Sequence, residues 1–244
     1  VSLLLERTSA DEAIELACKA HLGVWAERKR GFTNSALHWE WSELVSLPRL
    51  CVVAPREHSK SEVFTVNQAA WRCTYEPGIW VYVFAETGDQ ATALKARIDT
   101  AVQETASWLW DGRIKSNTMM SQYSNFSMVT VAGAGKGVRG AHPDLILGDD
   151  VLSEGGCSTS LQRKRVEQWW FGTIGGMSHP GTWRFVGSGK VWMPPTRVHL
   201  VGTPFHKADL LMGMRDNPMY RYRRYAAQFD PSDLVAGTLA VEVS

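Results

Sequence analysis

Three short segments carry residue types and spacings suited to phosphate chemistry. The first is Ala54-Pro55-Arg56-Glu57-His58-Ser59-Lys60-Ser61, which follows the apolar run at 49–54. A loop that holds a nucleoside triphosphate needs exposed backbone N–H groups, a lysine for the terminal phosphates and a hydroxyl for Mg²⁺. Lys60 and Ser61 stand at that spacing, but Ala54 and Ser59 replace both glycines of the G-x-x-x-x-G-K-[ST] pattern. Alone, the segment reads as a polar turn entering a helix. The second is the run DLILG, 144–148, closed by Asp149 and Asp150. Acids at the carboxyl end of a buried strand sit where open α/β sheets take ligands, one to hold Mg²⁺ and the next to orient water. A turn after an ordinary strand accounts for them equally well. The third is Val201-Gly202-Thr203-Pro204, where a polar side chain ends another apolar run and can face a γ-phosphate. Three strand ends converging on one site, the first two about ninety residues apart, favour a phosphate-loop ATPase over three coincidences.

A rival phosphate motif spans 135–140, where Gly135, Gly137 and Gly140 fit G-x-G-x-x-G after a strand. That fingerprint requires a helix opening at its last glycine. Here Ala141-His142-Pro143 and another strand follow at once, so the match is accidental.

The elements that must position these residues are readable in outline. Residues 9–29 keep one apolar face at helical spacing through Ile14, Ala17, Cys18, Leu22 and Trp25, and 34–44 forms a second short helix. Apolar runs at 49–55, 78–86, 126–132, 144–148 and 196–203 read as strands, with a weaker one at 113–118 and a late one at 220–226. Helical patterns fall at 59–73, 89–110, 162–171 and 209–214. Such alternation predicts an α/β fold with a mostly parallel central sheet and helices on both faces. The expected division is a helical lead-in at 1–48, a core at 49–230 and the start of a linker at 231–244.

Composition sets looser bounds. The chain has 244 residues, 44% of them hydrophobic, which is enough for a sizeable core and argues against disorder. Its net charge of +1 neither announces nor excludes a nucleic-acid partner. The basic runs at 28–30, 163–165 and 221–224 suit phosphate contacts, but solvated faces more often. The four cysteines form no CxxC pair, so a zinc site is not expected and a reducing setting is. No run approaches the length of a membrane span.

With APREHSKS, GVRGAHPDLILGDD and VGTPFHKADLL in place, the sequence resembles the ATPase domain of the large terminase subunit of tailed bacteriophages, over roughly 36–229. The resemblance implies a RecA-like P-loop NTPase that hydrolyses ATP with Mg²⁺ and translocates DNA. It implies nucleotide contacts from Pro55, Arg56, Glu57, His58, Ser59, Lys60, Ser61 and Thr203, and metal ligation by Ser61 and Asp149. Lys60, Asp150 and Arg139 take catalytic roles, with Arg139 as an arginine finger. Asp150 stands where the family usually has glutamate, so the water-orienting role falls to it or to Glu154. His38 stands near the expected adenine-binding turn. The implied partners are double-stranded DNA, a homo-oligomeric ring, the portal protein and the small terminase subunit, with no membrane, in the host cell cytoplasm. The family's nuclease domain is not expected within these residues. Competing readings are a helicase-like ATPase and a nucleotide-binding module with impaired hydrolysis.

Overall fold

The computed structural model describes residues 10–138, 140–228 and 231–244. Its framework is a nine-stranded sheet. β1 (Arg49–Val53), β2 (Trp80–Ala85), β5 (Met128–Gly133), β6 (Leu145–Asp149), β9 (Arg197–Gly202) and β10 (Arg221–Arg224) run parallel, in the spatial order β10-β1-β9-β6-β2-β5. Antiparallel β4 (Met120–Gln122) and β3 (Lys115–Ser116) extend the β5 side, and β11 (Glu242–Val243) flanks β10. The expected mostly parallel α/β sheet is therefore the observed one.

Side-chain alternation along the strands sorts the core into two layers, one on each face. Leu50, Val52, Val81, Val83, Val129, Leu145 and Leu147 face one layer. It is built from α1 (Ala10–Ala20), α2 (Leu22–Arg30), α3 (Ala36–Leu44), α4 (Gln68–Tyr75), α5 (Gly88–Thr105) and α6 (Ser107–Asp111). Cys51, Val53, Phe84, Ile146, Val198 and Leu200 face the other layer, alongside Trp170, Ile174, Met177, Leu210 and Leu211. Those belong to α8 (Ser160–Met177) and α9 (Leu210–Gly213), while the one-turn α7 (Glu154–Cys157) packs on α8. Helices preceding β6 thus cover one face and those following it cover the other.

Several element boundaries differ from the sequence-based expectation. The first helical pattern breaks at His21, whose backbone is extended and whose side-chain Nδ1 caps α2 by accepting from the Gly23 N–H at 3.0 Å. Helix 89–110 breaks at Ala106, and α8 starts earlier and runs six residues past 171, launched by a Thr159–Gln162 capping box. An antiparallel hairpin of β7 (Thr182–Val186) and β8 (Gly189–Met193) has no counterpart among the expectations. Its outer aromatics Trp183, Phe185 and Trp192 are exposed, so it lacks the buried stripe that marks a strand in sequence. Residues 231–244 return to the sheet through β11, and Ala240 is fully buried in the first core layer.

The hairpin is moored at the amino end of β6. Asp144 is 1% exposed and accepts from Trp80 N at 2.7 Å, His179 Nε2 at 3.0 Å and both terminal nitrogens of Arg184.

Candidate functional site

Strand register brings the three sequence segments to one edge. Val53 pairs with Gly202, Val201 with Asp149, and Asp149 with Ala85. The residues that follow these positions therefore emerge side by side: the loop at 54–59, Thr203, Asp150 and Glu86. β9 lies between β1 and β6, so the edge opens where the strand order reverses, the place at which open parallel sheets take ligands. A cavity of about 630 Å³ lies there, and its walls include Arg56, Ser59, Lys60, Ser61, Asp150 and Thr203.

Two glycines let the strand ends pack this closely. A Cβ on Gly148 would lie 2.6 Å from Trp170, and one on Gly202 would meet Asp150 Oδ1 and Leu211 at 3.0 Å. The first contact seats α8 under β6; the second lets β9 approach the acids.

The loop after β1 turns through two left-handed residues, Glu57 at φ 65° and Ser59 at φ 59°. Ser59 occupies the position of the second glycine of the phosphate-loop pattern, so a Cβ is held where glycine is the favoured residue. His58 Nδ1 lies 2.8 Å from the Arg56 carbonyl, bracing the turn, and the Arg56 guanidinium lies over Phe205 at 5.6 Å. Lys60 and Ser61 then open a helical stretch that continues as a π-helix, Glu62–Asn67, and as α4.

Lys60 is 5% exposed, and its ammonium donates to the Pro55 carbonyl at 2.6 Å and to Thr203 Oγ1 at 3.1 Å. Burial lowers its pKa, against the opposing pull of Asp150 and Asp149. Thr203 Oγ1 also donates to the Ala54 carbonyl at 3.1 Å, so one hydroxyl bridges the β1 and β9 ends.

Asp149 is 3% exposed, and its Oδ1 accepts from Ser61 Oγ at 2.9 Å. Its Oδ2 is buried without a hydrogen-bond partner. Desolvation, then the neighbouring Asp150 charge, push its carboxyl up to about 6; Ser61, Thr65 and Lys60 pull the other way. A buried carboxylate with a bare oxygen beside a serine hydroxyl fits a hard divalent cation, which takes oxygen ligands. Among the described residues no group of three or more His, Cys, Asp or Glu is placed to hold a metal. Mg²⁺ suits such a site, because it commonly takes one or two protein ligands and completes its shell with water and phosphate oxygens.

Asp150 stands at φ 42°, and its Oδ1 accepts from the Thr203 N–H at 2.9 Å. It lines the cavity, yet half of its carboxyl is engaged in clipping β6 to the end of β9. Glu154 is exposed in the first turn of α7 and is not among the cavity-lining residues. His38 is likewise absent from the lining; it caps α3 in a reciprocal box with Ser35 and packs edge-on to Trp41. Arg139 lies outside the described residues. Beside it, the loop is held by Trp169, whose Nε1 donates to the Lys136 carbonyl at 3.0 Å. No helix opens at Gly140, and β6 begins at Leu145, so the G-x-G-x-x-G segment has no phosphate-binding context.

The cavity also includes residues that the sequence analysis did not single out: Phe32, Glu62, Glu86, Gln90, Arg97 and Phe205. Glu86 had a readable signal, because it closes an apolar strand just as Asp149 and Asp150 close theirs.

No protein-family model matches the sequence, and neither does the sequence of any curated protein. Solved structures do match in fold. The large terminase ATPase domain of Thermus phage P74-26 aligns with a TM-score of 0.51 at 14% identity, over 82% of this chain and 83% of that one. A point mutant of the same domain aligns at 0.53 and 12% identity, over 81% and 83%. The chain thus has the mixed α/β fold of phage large-terminase ATPase domains.

Proposed function

We propose that this chain is the ATP-hydrolysing motor domain of a viral packaging terminase, driving double-stranded DNA into a procapsid. The observation that carries this reading is the meeting of Lys60, Ser61, Asp149 and Thr203 at the carboxyl edge of β1, β9 and β6. The likeness to terminase ATPase domains supports it over a helicase-like ATPase.

In this reading the Lys60 ammonium exchanges the Pro55 carbonyl and Thr203 hydroxyl for phosphate oxygens. The left-handed turn at 57–59 directs the loop backbone around the phosphates. Ser61 and Asp149 hold Mg²⁺, which when bound neutralises charge developing on the transferred phosphoryl group. Thr203 touches Lys60 through its hydroxyl and Asp150 through its N–H, so a change at the γ-phosphate is felt at the end of β9. That contact is the lever we assign to movement. Arg139 serves as an arginine finger across a homo-oligomeric ring, with the portal protein and small terminase subunit as further partners in the host cell cytoplasm. Among the described residues no helix is long and apolar enough to cross a membrane.

The test is ATP turnover against protein concentration for the native chain and Lys60→Ala. Turnover that rises faster than linearly in the native chain and disappears in the variant is expected. Equal inactivity of both proteins at every concentration rejects the hydrolytic reading. A nucleotide-binding module with impaired hydrolysis would then be the better description; the strained Ser59 position and the engaged Asp150 carboxyl favour that second reading.

A further inference from the structure

We propose that Glu86, not Asp150, is the carboxylate that takes the proton from the attacking water. The inference rests on the ATPase reading above and concerns the same site. A base for this step needs an accessible carboxylate at the phosphate end of the cavity, oriented by a third group and free of competing structural bonds.

Asp150 meets the first requirement only in part. Its side chain is one methylene shorter than glutamate, its backbone sits at φ 42°, and Oδ1 is committed to the Thr203 N–H. Protonating that carboxyl during each turnover would weaken the bond that joins β6 to β9. Glu154 does not line the cavity.

Glu86 meets all three. It follows Ala85, the β2 residue that pairs with Asp149, so it emerges beside Asp150 at the same edge. It is half-buried and lines the cavity together with Lys60, Ser61 and Thr203. Its Oε2 accepts a long bond of 3.4 Å from Gln90 Nε2. Gln90 is itself fixed by the capping box of α5: its Oε1 accepts from Thr87 N at 3.1 Å, while its own N–H donates to Thr87 Oγ1 at 3.2 Å. With the amide oxygen facing Thr87, the amide NH₂ must face Glu86, and it orients that carboxylate at the cavity wall. Gln90 is a positioning residue and Glu86 the group that meets the water.

The step balances without any further reactant. The water oxygen forms a bond to the γ-phosphorus as the bond from that phosphorus to the bridging oxygen breaks. The electron pair leaves with ADP, the water proton moves to Glu86, and Glu86 returns it to solvent after phosphate departs.

The experiment compares the native chain with Glu86→Gln, Glu86→Asp and Lys60→Ala for ATP turnover, for binding of a non-hydrolysable ATP analogue, and for the pH profile of kcat. Glu86→Gln should lower kcat about a hundredfold or more while leaving analogue affinity unchanged, since base catalysis contributes roughly 10²–10⁴ in rate. It should also remove the acid limb of the profile, and Glu86→Asp should restore part of the rate together with that limb. A Glu86→Gln protein that keeps native kcat while Lys60→Ala is inactive overturns the proposal and leaves the ATPase reading standing. If the native chain itself shows no turnover, both fall together.

Discussion

Two buried aspartates bracket β6, and they have opposite surroundings. Asp144, at the amino end, receives hydrogen bonds from a backbone N–H, a histidine and an arginine. Asp149, at the carboxyl end, receives one bond from Ser61 and keeps a buried oxygen without a partner. A buried carboxylate is costly unless its lone pairs are satisfied. The saturated aspartate therefore spends its charge on holding the β7–β8 hairpin to the sheet. The under-coordinated one is kept at a cost that a cation or a proton can remove. The comparison teaches what sets Asp149 apart: burial alone does not, since Asp144 is as buried, whereas a carboxylate oxygen left unpaired beside the Ser61 hydroxyl does.

The largest expected effect lies at the unsatisfied end. Asp149→Ala should lower ATP turnover about a thousandfold, the several kcal/mol a metal clamp supplies to phosphoryl transfer. The same change should not destabilise the ligand-free chain at pH 8 in a denaturant melt. A large loss of stability there would make Asp149 a second Asp144 and end the contrast.

Next comes the saturated end. Asp144→Ala leaves the Trp80 N–H without its acceptor and the Arg184 guanidinium with the Gly78 carbonyl but no counter-charge, and should lower unfolding free energy by roughly 3 kcal/mol, read from the urea midpoint. Nucleotide affinity of the folded fraction should stay native.

pH sharpens the comparison further. Burial raises the Asp149 carboxyl above its unfolded value, to about 6, so the folded chain binds the proton more tightly. Its contribution to stability is then fully present below about pH 4 and lost as pH rises through about 6. Across that window the ligand-free native chain should lose roughly 2–3 kcal/mol relative to Asp149→Asn, measured by parallel melts at each pH. Mg²⁺ should raise the melting temperature at pH 8 and have little effect at pH 5, where the proton competes. No difference between the two proteins across the window would mean that Asp149 is as well satisfied as Asp144.

The smallest effect concerns the loop that leads into Ser61, the hydroxyl partner of Asp149. Ser59→Gly removes a Cβ from a left-handed position and should stabilise the chain by about 0.5–1 kcal/mol, because relief of strain exceeds the extra chain entropy of glycine. A destabilised variant would show that the Ser59 side chain makes an interaction that outweighs its backbone strain.

Much of the fold was legible because its strands are short apolar runs closed by proline, glycine or acid, and a doubly covered parallel sheet buries such runs whole. RLCVVAP and DLILGDD declare both the strand and the end at which the candidate site lies. The hairpin was illegible for the opposite reason: Trp183, Phe185 and Trp192 are apolar but exposed, so their pattern marks no core. The break at His21 was hidden because the helical face continues across it, from Cys18 to Leu22 and Trp25. Glu86 was passed over although its strand was identified, since an acid after VYVFA has no role until β2 is known to lie beside β6.

By itself, then, the sequence determined the chemistry available: a lysine and serine after one strand, paired acids after another, a threonine after a third. Those are local facts, fixed by residue type and by position relative to an apolar run. Only the tertiary structure decided which strand ends are neighbours, because pairing depends on crossovers and on the helix layers that enforce them. That pairing puts β9 between β1 and β6, ties up Asp150 with Thr203, and sets Glu86 at the cavity. It also decided that Asp144 is saturated and Asp149 is not, since both are buried acids at the ends of one strand and differ only in what the rest of the chain brings to them.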